Sequence, residues 1–264
     1  SNRTLERTEV SKKMELKLYE KNLESFKGVM NLVKAVLVGD TKMQLSEDGI
    51  RILGMDPSHV AMIDAKIKLG LFDTFTPGDE DVIINITEFT RFLDRAEKKE
   101  RVTLSVDSKA SKLIITGEKS GWKRRFGIPL LEEYESEIPE PKIKFDASVK
   151  MLTPAFDKAL KDAELVSEHV NLEIREGLTT LKATGDMGEA SNLWEKDSED
   201  ILEIKAEAKA NATYTLSYLR DMTTALKAFS DTIRMEMSTD MPMRIEGYAD
   251  SIEVTLFLAP MIGV

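Results

Sequence analysis

The sequence repeats itself once, and this internal duplication constrains the fold more than any other feature. Each half reads as a strand, a helix, several strands, a second helix and several more strands. SFKGVMNLV in the first half matches AFDKALKDA in the second, and ITEFTRFLDRA matches TYTLSYLRDMT. A tandem repeat of about 120 residues is the simplest explanation, and repeats have to be recognised before single elements are assigned. The sequence therefore predicts two similar domains in one chain.

The periodicity of apolar residues predicts the elements within each repeat. Apolar and polar residues alternate in RVTLSVD (101–107) and in SIEVTLFL (251–258), which is typical of antiparallel strands covered on one face. Thr87 and Thr153 are the predicted N-caps of two helices. Helical spacing predicts four helices, at about 22–37, 87–99, 154–166 and 215–229. The predicted fold class is α+β, with antiparallel sheets on one side of each domain and two helices on the other.

The join between the halves has the composition of a linker. Residues 129–141, PLLEEYESEIPEP, are acidic and contain three prolines, which disfavours regular structure. We therefore predict a first domain over 14–128, a linker over 129–141 and a second domain over 142–264. The polar residues 1–13 are predicted to be a mobile arm or an expression remnant.

Composition excludes several classes of function. Lys and Arg number 37 and Asp and Glu 47, a net charge of −10, so a contact with DNA requires basic residues concentrated on one surface. The chain has no cysteine and two histidines, which excludes disulfides and Cys-ligated or His-rich metal sites. No apolar run approaches the roughly 18 residues of a membrane span, and the N-terminus lacks an apolar signal core. We expect a cytoplasmic protein, nucleoid-associated in a prokaryote or nuclear in a eukaryote, without membrane contact or cofactor.

Each predicted helix carries basic residues on its polar side. On a single helix the simplest interpretation is that such residues are solvated, and acidic residues such as Asp94, Asp157 and Asp221 lie beside them. Basic residues on all four helices of an acidic chain instead predict a shared surface for sequence-independent phosphate contacts. The predicted DNA-facing residues are Lys27, Lys34, Arg91, Arg95, Lys158, Lys161, Arg220 and Lys227.

Three motifs are more specific than the repeat. They are GIRILGMDPSHVAMI (49–63), DMPMRIEG (240–247) and the terminal LFLAP (256–260). With the repeat and the acidic linker, they resemble the proliferating cell nuclear antigen family, the sliding clamps of archaea and eukaryotes, over about residues 15–264. The short C-terminus resembles archaeal members. The resemblance implies a homotrimeric ring that encircles duplex DNA, with helices lining the hole and sheets outside, and that has no catalytic activity.

The resemblance also implies a hydrophobic pocket under the linker. DNA polymerase, the clamp loader, flap endonuclease and DNA ligase would each insert a short peptide there, because apolar anchors in a pocket carry most of the energy of a small interface. From the residues alone, core side chains or a capped turn are the alternative interpretation. The implied pocket residues are Met55, His59, Val60, Ile138, Pro242, Phe257, Leu258, Ala259 and Pro260.

Two edges of opposite charge are implied to meet between copies of the chain. A basic edge facing an acidic edge suits a head-to-tail contact between unlike surfaces. The alternative interpretation is two solvated edges. The implied interface residues are Trp122, Lys123, Arg124 and Arg125 on the basic edge, and Leu193, Trp194 and Glu195 on the acidic edge.

A rival interpretation assigns acid–base or metal chemistry to Asp48, Asp56, His59 and Asp64, since carboxylate–imidazole pairs serve as bases. The sequence supplies no nucleophile, third ligand or Gly-rich phosphate loop, so we expect neither catalysis nor a bound metal. Two further interpretations stay open. The chain could be one subunit of a heterotrimeric clamp, or a non-ring DNA-binding module or enzyme built from the same repeat.

Overall fold

The computed structural model describes residues 12–134 and 137–263, so most of the predicted N-terminal arm lies outside it. The first half contains β1 (Glu15–Tyr19), α1 (Glu20–Leu37), β2 (Asp40–Ser46), β3 (Gly49–Met55), β4 (Ala61–Lys68), β5 (Thr74–Thr76), β6 (Val82–Asn85), α2 (Ile86–Leu93), β7 (Arg101–Asp107), β8 (Lys112–Lys119) and β9 (Trp122–Pro129).

The second half repeats this order of elements: strand, helix, five strands, helix, three strands. It contains β10 (Ala147–Leu152), α3 (Thr153–Glu164), β11 (His169–Arg175), β12 (Leu178–Gly185), β13 (Gly188–Glu195), β14 (Ile201–Ala206), β15 (Ala210–Thr215), α4 (Leu216–Lys227), β16 (Thr232–Met237), β17 (Met243–Ala249) and β18 (Ile252–Leu258). The described residues between β9 and β10 form neither helix nor strand. The predicted boundaries of the two domains, 14–128 and 142–264, stay a prediction.

Three antiparallel sheets are formed, and one of them runs through both halves. The five-stranded sheet has the order β5-β1-β7-β8-β9 and the four-stranded sheet β13-β12-β11-β15. The nine-stranded sheet has the order β14-β10-β16-β17-β18-β4-β3-β2-β6. Its halves meet where β18 pairs with β4 over seven residue pairs, from Ile252 opposite Ile67 to Leu258 opposite Ala61. We call this ladder the closed joint.

The helices form one layer against the sheets, in the order α2, α1, α4 and α3. The two repeats meet in this layer where α1 crosses α4. At Gly28 of α1, an added Cβ would lie 3.0 Å from Phe229 and 3.1 Å from Ala228, so a side chain there would push the helices apart. Beneath the layer lies a continuous apolar core, in which Phe26, Phe89 and Phe156 are fully buried.

Both predicted helix caps are wrong. α2 begins at Ile86, and its cap is Asn85, whose side chain accepts a 3.1 Å hydrogen bond from the Glu88 amide. Thr87 instead donates its hydroxyl to the carbonyl of Val38. Thr153 is the first residue of α3, and its buried hydroxyl donates to the Ser230 carbonyl at 2.8 Å. Each threonine is drawn to a carbonyl distant in sequence, which local pattern cannot foresee.

The second helix is also shorter than predicted, since it ends at Leu93 and not near 99. The chain turns after Asp94, and the carboxylate of Glu100 accepts a 2.9 Å hydrogen bond from the Glu97 amide. Ala96 is buried in this turn, which explains why its apolar character mimics a further helical turn.

The first part of the linker lies along the β6 end of the nine-stranded sheet. Leu131 donates its amide to the Ile83 carbonyl at 2.8 Å, and Lys42 lies 2.9 Å from Glu133. The hydroxyl of Tyr134 lies 3.4 Å from the carbonyl of Asp40. These contacts anchor the linker to the first repeat.

Candidate functional site

Three of the predicted DNA-facing cations converge on one buried carboxylate in the second repeat. Asp157 of α3 lies 2.7 Å from Arg220, 2.9 Å from Lys227 and 3.1 Å from Lys161. Burial alone would raise the pKa of Asp157, but the hydrogen bonds from Lys227 and Lys161 outweigh it and hold that pKa below its ordinary value. Arg220 also contacts Glu164 at 3.0 Å. The cluster fixes these cations on the helix layer and keeps a net positive charge.

The cations of the first repeat are held less uniformly. The ammonium group of Lys27 donates to the Ala96 carbonyl and lies 3.5 Å from Glu24, and Arg91 lies 3.1 Å from Glu88. These two charges are therefore partly used inside the helix layer.

Three of the predicted cations, Lys34, Arg95 and Lys158, make no ion pair within the described part of the chain. Lys34 lines a groove of about 790 Å³ between α1 and α4, together with Arg220. Asp94 and Asp221 line the same groove, so its charge is mixed. We expect the three unpaired cations to be the most available to phosphates.

The predicted partner pocket corresponds to a row of apolar side chains across three strands. Met55 of β3 lies opposite Met62 of β4, which lies opposite Phe257 of β18. The next residues of these strands, Gly54 and Ile63 among them, face the helices, so the row lies on the sheet face away from the helices. Sequence reasoning missed Met62, although β4 begins with three apolar residues in succession, which indicates apolar contacts on both faces.

Leu258 is a correction to the predicted pocket. Its side chain is completely buried and belongs to the core beneath the helices. Adjacent residues of a strand point to opposite faces, so Phe257 and Leu258 cannot both line one pocket. Phe257 lies on the outer face, and Leu258 supports the sheet from within.

The turn between β3 and β4 forms one rim of this row. Val60 accepts a 2.8 Å hydrogen bond from the Ala259 amide, which brings the turn and the C-terminal segment together. His59 is exposed and has a φ of 59°. Val60, Ala259, Pro260, Pro242 and Ile138 are half-buried.

The predicted basic edge is β9, which has a partner on only one side among the described residues. Arg124 is not a free cation there. Its guanidinium lies 5.0 Å from the centroid of the Trp122 ring and 5.5 Å from that of Phe126, and 2.6 Å from Glu100. Glu100 is 1% exposed, so this ion pair is internal. Lys123 and Arg125, on the opposite face, are exposed.

The predicted acidic edge is β13, which likewise has one strand partner among the described residues. Trp194 is a correction, because its side chain is 7% exposed and packs in the core. Leu193 is 58% exposed on the opposite face, and Glu195 is exposed. The two-residue period again separates neighbours that the sequence grouped together.

The rival acid–base or metal interpretation gains no support from the geometry. Asp56 is buried, and its carboxylate accepts hydrogen bonds from backbone amides of the turn between β3 and β4. Asp64 pairs with Arg51 at 2.9 Å, and His59 is exposed. Within the described ranges there is no group of three or more His, Asp or Glu side chains that could hold a metal ion. Nor does any helix described here have the length and apolar character needed to cross a membrane.

Two repeats, one helix layer and a sheet continued from one repeat into the other define a two-domain clamp fold. The protein-family model described as "Proliferating cell nuclear antigen, N-terminal domain" matches residues 13–127, and the model of the C-terminal domain of the same family matches residues 137–262. The DNA polymerase sliding clamp of Methanococcus maripaludis (strain C7) is 30% identical over 245 residues, covering 91% of this chain and 97% of that protein. That of Cenarchaeum symbiosum is 30% identical over 242 residues, covering 91% and 96%.

Solved structures give the same result for the fold. Proliferating cell nuclear antigen from Thermococcus kodakaraensis superposes with a TM-score of 0.85 at 20% identity, covering 94% of this chain and 100% of that one. The Entamoeba histolytica protein gives 0.83 at 20% identity, covering 94% and 99%. The chain therefore belongs to the proliferating cell nuclear antigen family of DNA polymerase sliding clamps. The predicted α+β fold is confirmed, and membership in a family of non-enzymatic processivity factors confirms the prediction of no catalytic activity.

Proposed function

We propose that three copies of this chain join head to tail into a ring that encircles duplex DNA and tethers replication enzymes. DNA polymerase is a proposed partner because the relatives of this chain are named DNA polymerase sliding clamps. A clamp loader, flap endonuclease and DNA ligase are further proposed partners, through the same peptide pocket. Each proposal has a separate structural basis, so each is tested separately.

The observation that carries the ring proposal is the equivalence of two pairs of sheet edges. The five-stranded sheet that ends in β9 repeats the strand order that ends in β18, and the four-stranded sheet that begins with β13 repeats the order that begins with β4. Within the chain, β18 and β4 meet in the closed joint. Placing β9 of one copy against β13 of the next would build a second nine-stranded sheet of the same kind. Such head-to-tail contacts form a ring when the rotation closes.

The hairpins that end in β9 and β18 correspond residue by residue. Trp122 is the first residue of β9 and Ile252 the first of β18, and each follows directly on its hairpin turn. Lys123 therefore corresponds to Glu253. On the other side of the joint, Lys68 is the last residue of β4 and Glu195 the last of β13.

The charges at these corresponding positions are reversed. Across the closed joint, Lys68 lies 2.8 Å from Glu253. We call β9 and β13 the open edges. There, Glu195 takes the position of Lys68 and Lys123 takes the position of Glu253, so we infer an ion pair between Lys123 and Glu195 of the next copy. The reversal also places like charges together if the wrong edges meet, which favours the correct pairing.

The DNA-binding proposal is supported by the helix layer. All eight predicted cations lie on its helices or, for Arg95, just after α2. Phosphate contacts are sequence-independent and individually weak, which suits a protein that slides and is retained by topology. The acidic remainder of the chain would repel DNA from the other surfaces.

The partner-binding proposal is supported by the apolar row and its rim. A peptide with the pattern Gln-x-x-aliphatic-x-x-aromatic-aromatic would place its anchors against Met55, Met62 and Phe257. Its flanking residues would form backbone hydrogen bonds with the linker or the C-terminal segment. Three buried anchors offer roughly 5–8 kcal/mol before ordering costs, so with backbone bonds we expect a Kd of about 1 μM.

The ring is tested by light scattering, where a trimer has three times the 29.7 kDa of one chain. Lys123→Glu with Arg125→Glu should shift trimers toward monomers, because about fivefold weakening at each of three joints amounts to about 100-fold for the ring. Adding Glu195→Lys should partly restore assembly. Lys109→Glu, in the turn after β7, is the control and should assemble normally.

Two results would overturn parts of this assignment. Further loosening on adding Glu195→Lys would mean that the two edges do not meet. An unmodified chain that stays a monomer or dimer on its own would overturn the homotrimer and leave a subunit of a heterotrimeric clamp or a non-ring DNA-binding module.

DNA binding is tested by clamp retention on circular DNA at two salt concentrations. Lys34→Ala, Arg95→Ala and Lys158→Ala together should reduce retention and its salt dependence, because they remove cations that make no ion pair in the described structure. Lys27→Ala is the comparison, with a smaller effect, since Lys27 is held by Ala96 and Glu24. Unchanged salt dependence in the triple variant would argue against a DNA-facing helix layer.

A further inference from the structure

The turn between β3 and β4 is organised by one buried carboxylate. Asp56 is 4% exposed, and its Oδ1 accepts hydrogen bonds from the amides of Val60 at 2.6 Å and Ala61 at 2.8 Å. Its own carbonyl accepts a 3.0 Å bond from His59. His59 has a φ of 59°, a left-handed conformation that is uncommon for a residue with a side chain. The shape of the turn therefore depends on what holds Asp56 in place.

The remaining carboxylate oxygen of Asp56 is held from the other repeat. Tyr218 of α4 donates its hydroxyl to Oδ2 at 2.8 Å. Burial raises the pKa of Tyr218, and the hydrogen bond to Asp56 raises it further, so the hydroxyl keeps its proton at neutral pH. Two residues further along the same helix, Arg220 binds Asp157 in the DNA-facing cluster.

The C-terminal segment ties the same turn to the second repeat at another point. Ala259 donates its amide to Val60, and Met261 donates its amide to the Thr213 carbonyl at 2.7 Å. Thr213 lies in β15, the strand that leads into α4. Hydrogen bonds thus join the turn to the C-terminal segment, the C-terminal segment to β15, and α4, which follows β15, back to the turn. Tyr218 provides the side-chain hydrogen bond from the helix layer to the turn.

We propose that Tyr218 is a positioning residue for partner binding: its hydroxyl, reaching from the helix layer to Asp56, fixes the turn that presents His59 and Val60 to a partner peptide. The proposal rests on the partner-binding function proposed above. Without this hydroxyl, one oxygen of a buried carboxylate loses its donor, which is costly. The turn then samples other conformations, and a peptide has to order it on binding.

The test is isothermal calorimetry of the full-length protein with the Gln-x-x-aliphatic-x-x-aromatic-aromatic peptide. Tyr218→Phe should weaken binding about five- to tenfold, because the hydrogen bond is lost in both the free and the bound protein and only the cost of ordering the turn falls on peptide binding. Tyr248→Phe is the matched control, because it removes a tyrosine–carboxylate bond to Glu246 at an exposed position. Its peptide affinity and trimer mass should be unchanged.

Amide hydrogen exchange gives a readout that does not depend on any partner. Tyr218→Phe should speed exchange at Val60 and Ala61 and leave the amides of Val254 and Leu256, in the middle of the closed joint, unchanged. Asp56→Asn provides a second variant in case the first folds poorly. In the Asp56→Asn background, Tyr218→Phe should lower the peptide affinity less than it does in the native chain, because the hydrogen bond between Tyr218 and residue 56 is already altered.

The outcomes separate this inference from the proposed function. Peptide binding by the unmodified protein, with unchanged affinity in Tyr218→Phe, overturns the positioning role alone, even if the variant melts at a lower temperature. Slow exchange at Val60 and Ala61 in Tyr218→Phe overturns it as well. No binding by the unmodified protein overturns the pocket and, with it, the positioning role.

Discussion

The closed joint and the open edges occupy equivalent places in the two repeats, yet their inward-facing residues differ. In β18 the inward residues include Val254 and Leu256, which are almost completely buried. In β9 the corresponding positions hold Arg124 and Phe126, and the guanidinium lies close to the rings of Trp122 and Phe126 and is paired with Glu100. A joint made during folding can be built of core residues. An edge that is exposed before assembly needs side chains that are satisfied without a partner, and charge also protects it from wrong pairing.

The largest expected effect comes from placing a charge in the closed joint. Val254→Asp buries an unpaired carboxylate between the repeats and should cost about 4 kcal/mol or more of unfolding free energy. Val254→Ala, which only removes methyl groups, should cost about 2 kcal/mol. Urea unfolding followed by circular dichroism measures both. Equal midpoints for the two variants would show that the closed joint is not part of the folding core.

Breaking the internal ion pair of the open edge should have the next largest effect. Arg124→Ala leaves the buried Glu100 without its cation and should lower the unfolding free energy by about 3 kcal/mol. Adding Glu100→Gln should recover much of this loss. Arg125→Ala, exposed on the other face, is the control and should change stability by less than about 0.5 kcal/mol. A loss as large in Arg125→Ala would remove the distinction between the two faces of β9.

The smallest effect concerns the ion pair across the closed joint. The hydrogen bond from Lys68 lowers the pKa of Glu253 despite partial burial, so the pair stabilises the fold above the ordinary glutamate pKa. That contribution disappears as the pH falls through the lowered value. Both side chains are about half exposed, so Lys68→Ala should cost less than about 0.5 kcal/mol at pH 7.

The pH dependence provides the check. In urea unfolding, Lys68→Ala and the native chain should become equally stable at the lowest pH at which both still fold. Lys68→Arg should resemble the native chain throughout. A difference that persists or grows in acid would mean that Lys68 acts through packing and not through its charge.

The repeat, the strands and the helix layer could be predicted because their signal is local and periodic. Alternation in 101–107 and 251–258 locates β7 and β18, and apolar spacing locates all four helices. The ends were less predictable, since Asn85 and not Thr87 caps α2, and Thr153 is drawn to a carbonyl far along the chain. Contacts distant in sequence decide such details, and no local pattern contains them.

The candidate site divides in the same way. Motifs identified the segments, but the facing of each side chain follows from strand register, so Trp194 and Leu258 proved to be core residues and Met62 was missed. Likewise, the ion pairs of Asp157 and Glu100 join residues of separate elements. They determine which cations remain available, and one sequence does not reveal them.

The uninterrupted nine-stranded sheet makes the linker dispensable as a tether. If a protease cut the linker, the two fragments would still be held by the ladder between β18 and β4 and by the packing of α1 on α4. We expect them to co-purify, and separately expressed halves to reconstitute one subunit. Covalent continuity between the repeats is then not needed to hold them together, and we expect the fold to tolerate changes in the length of the linker.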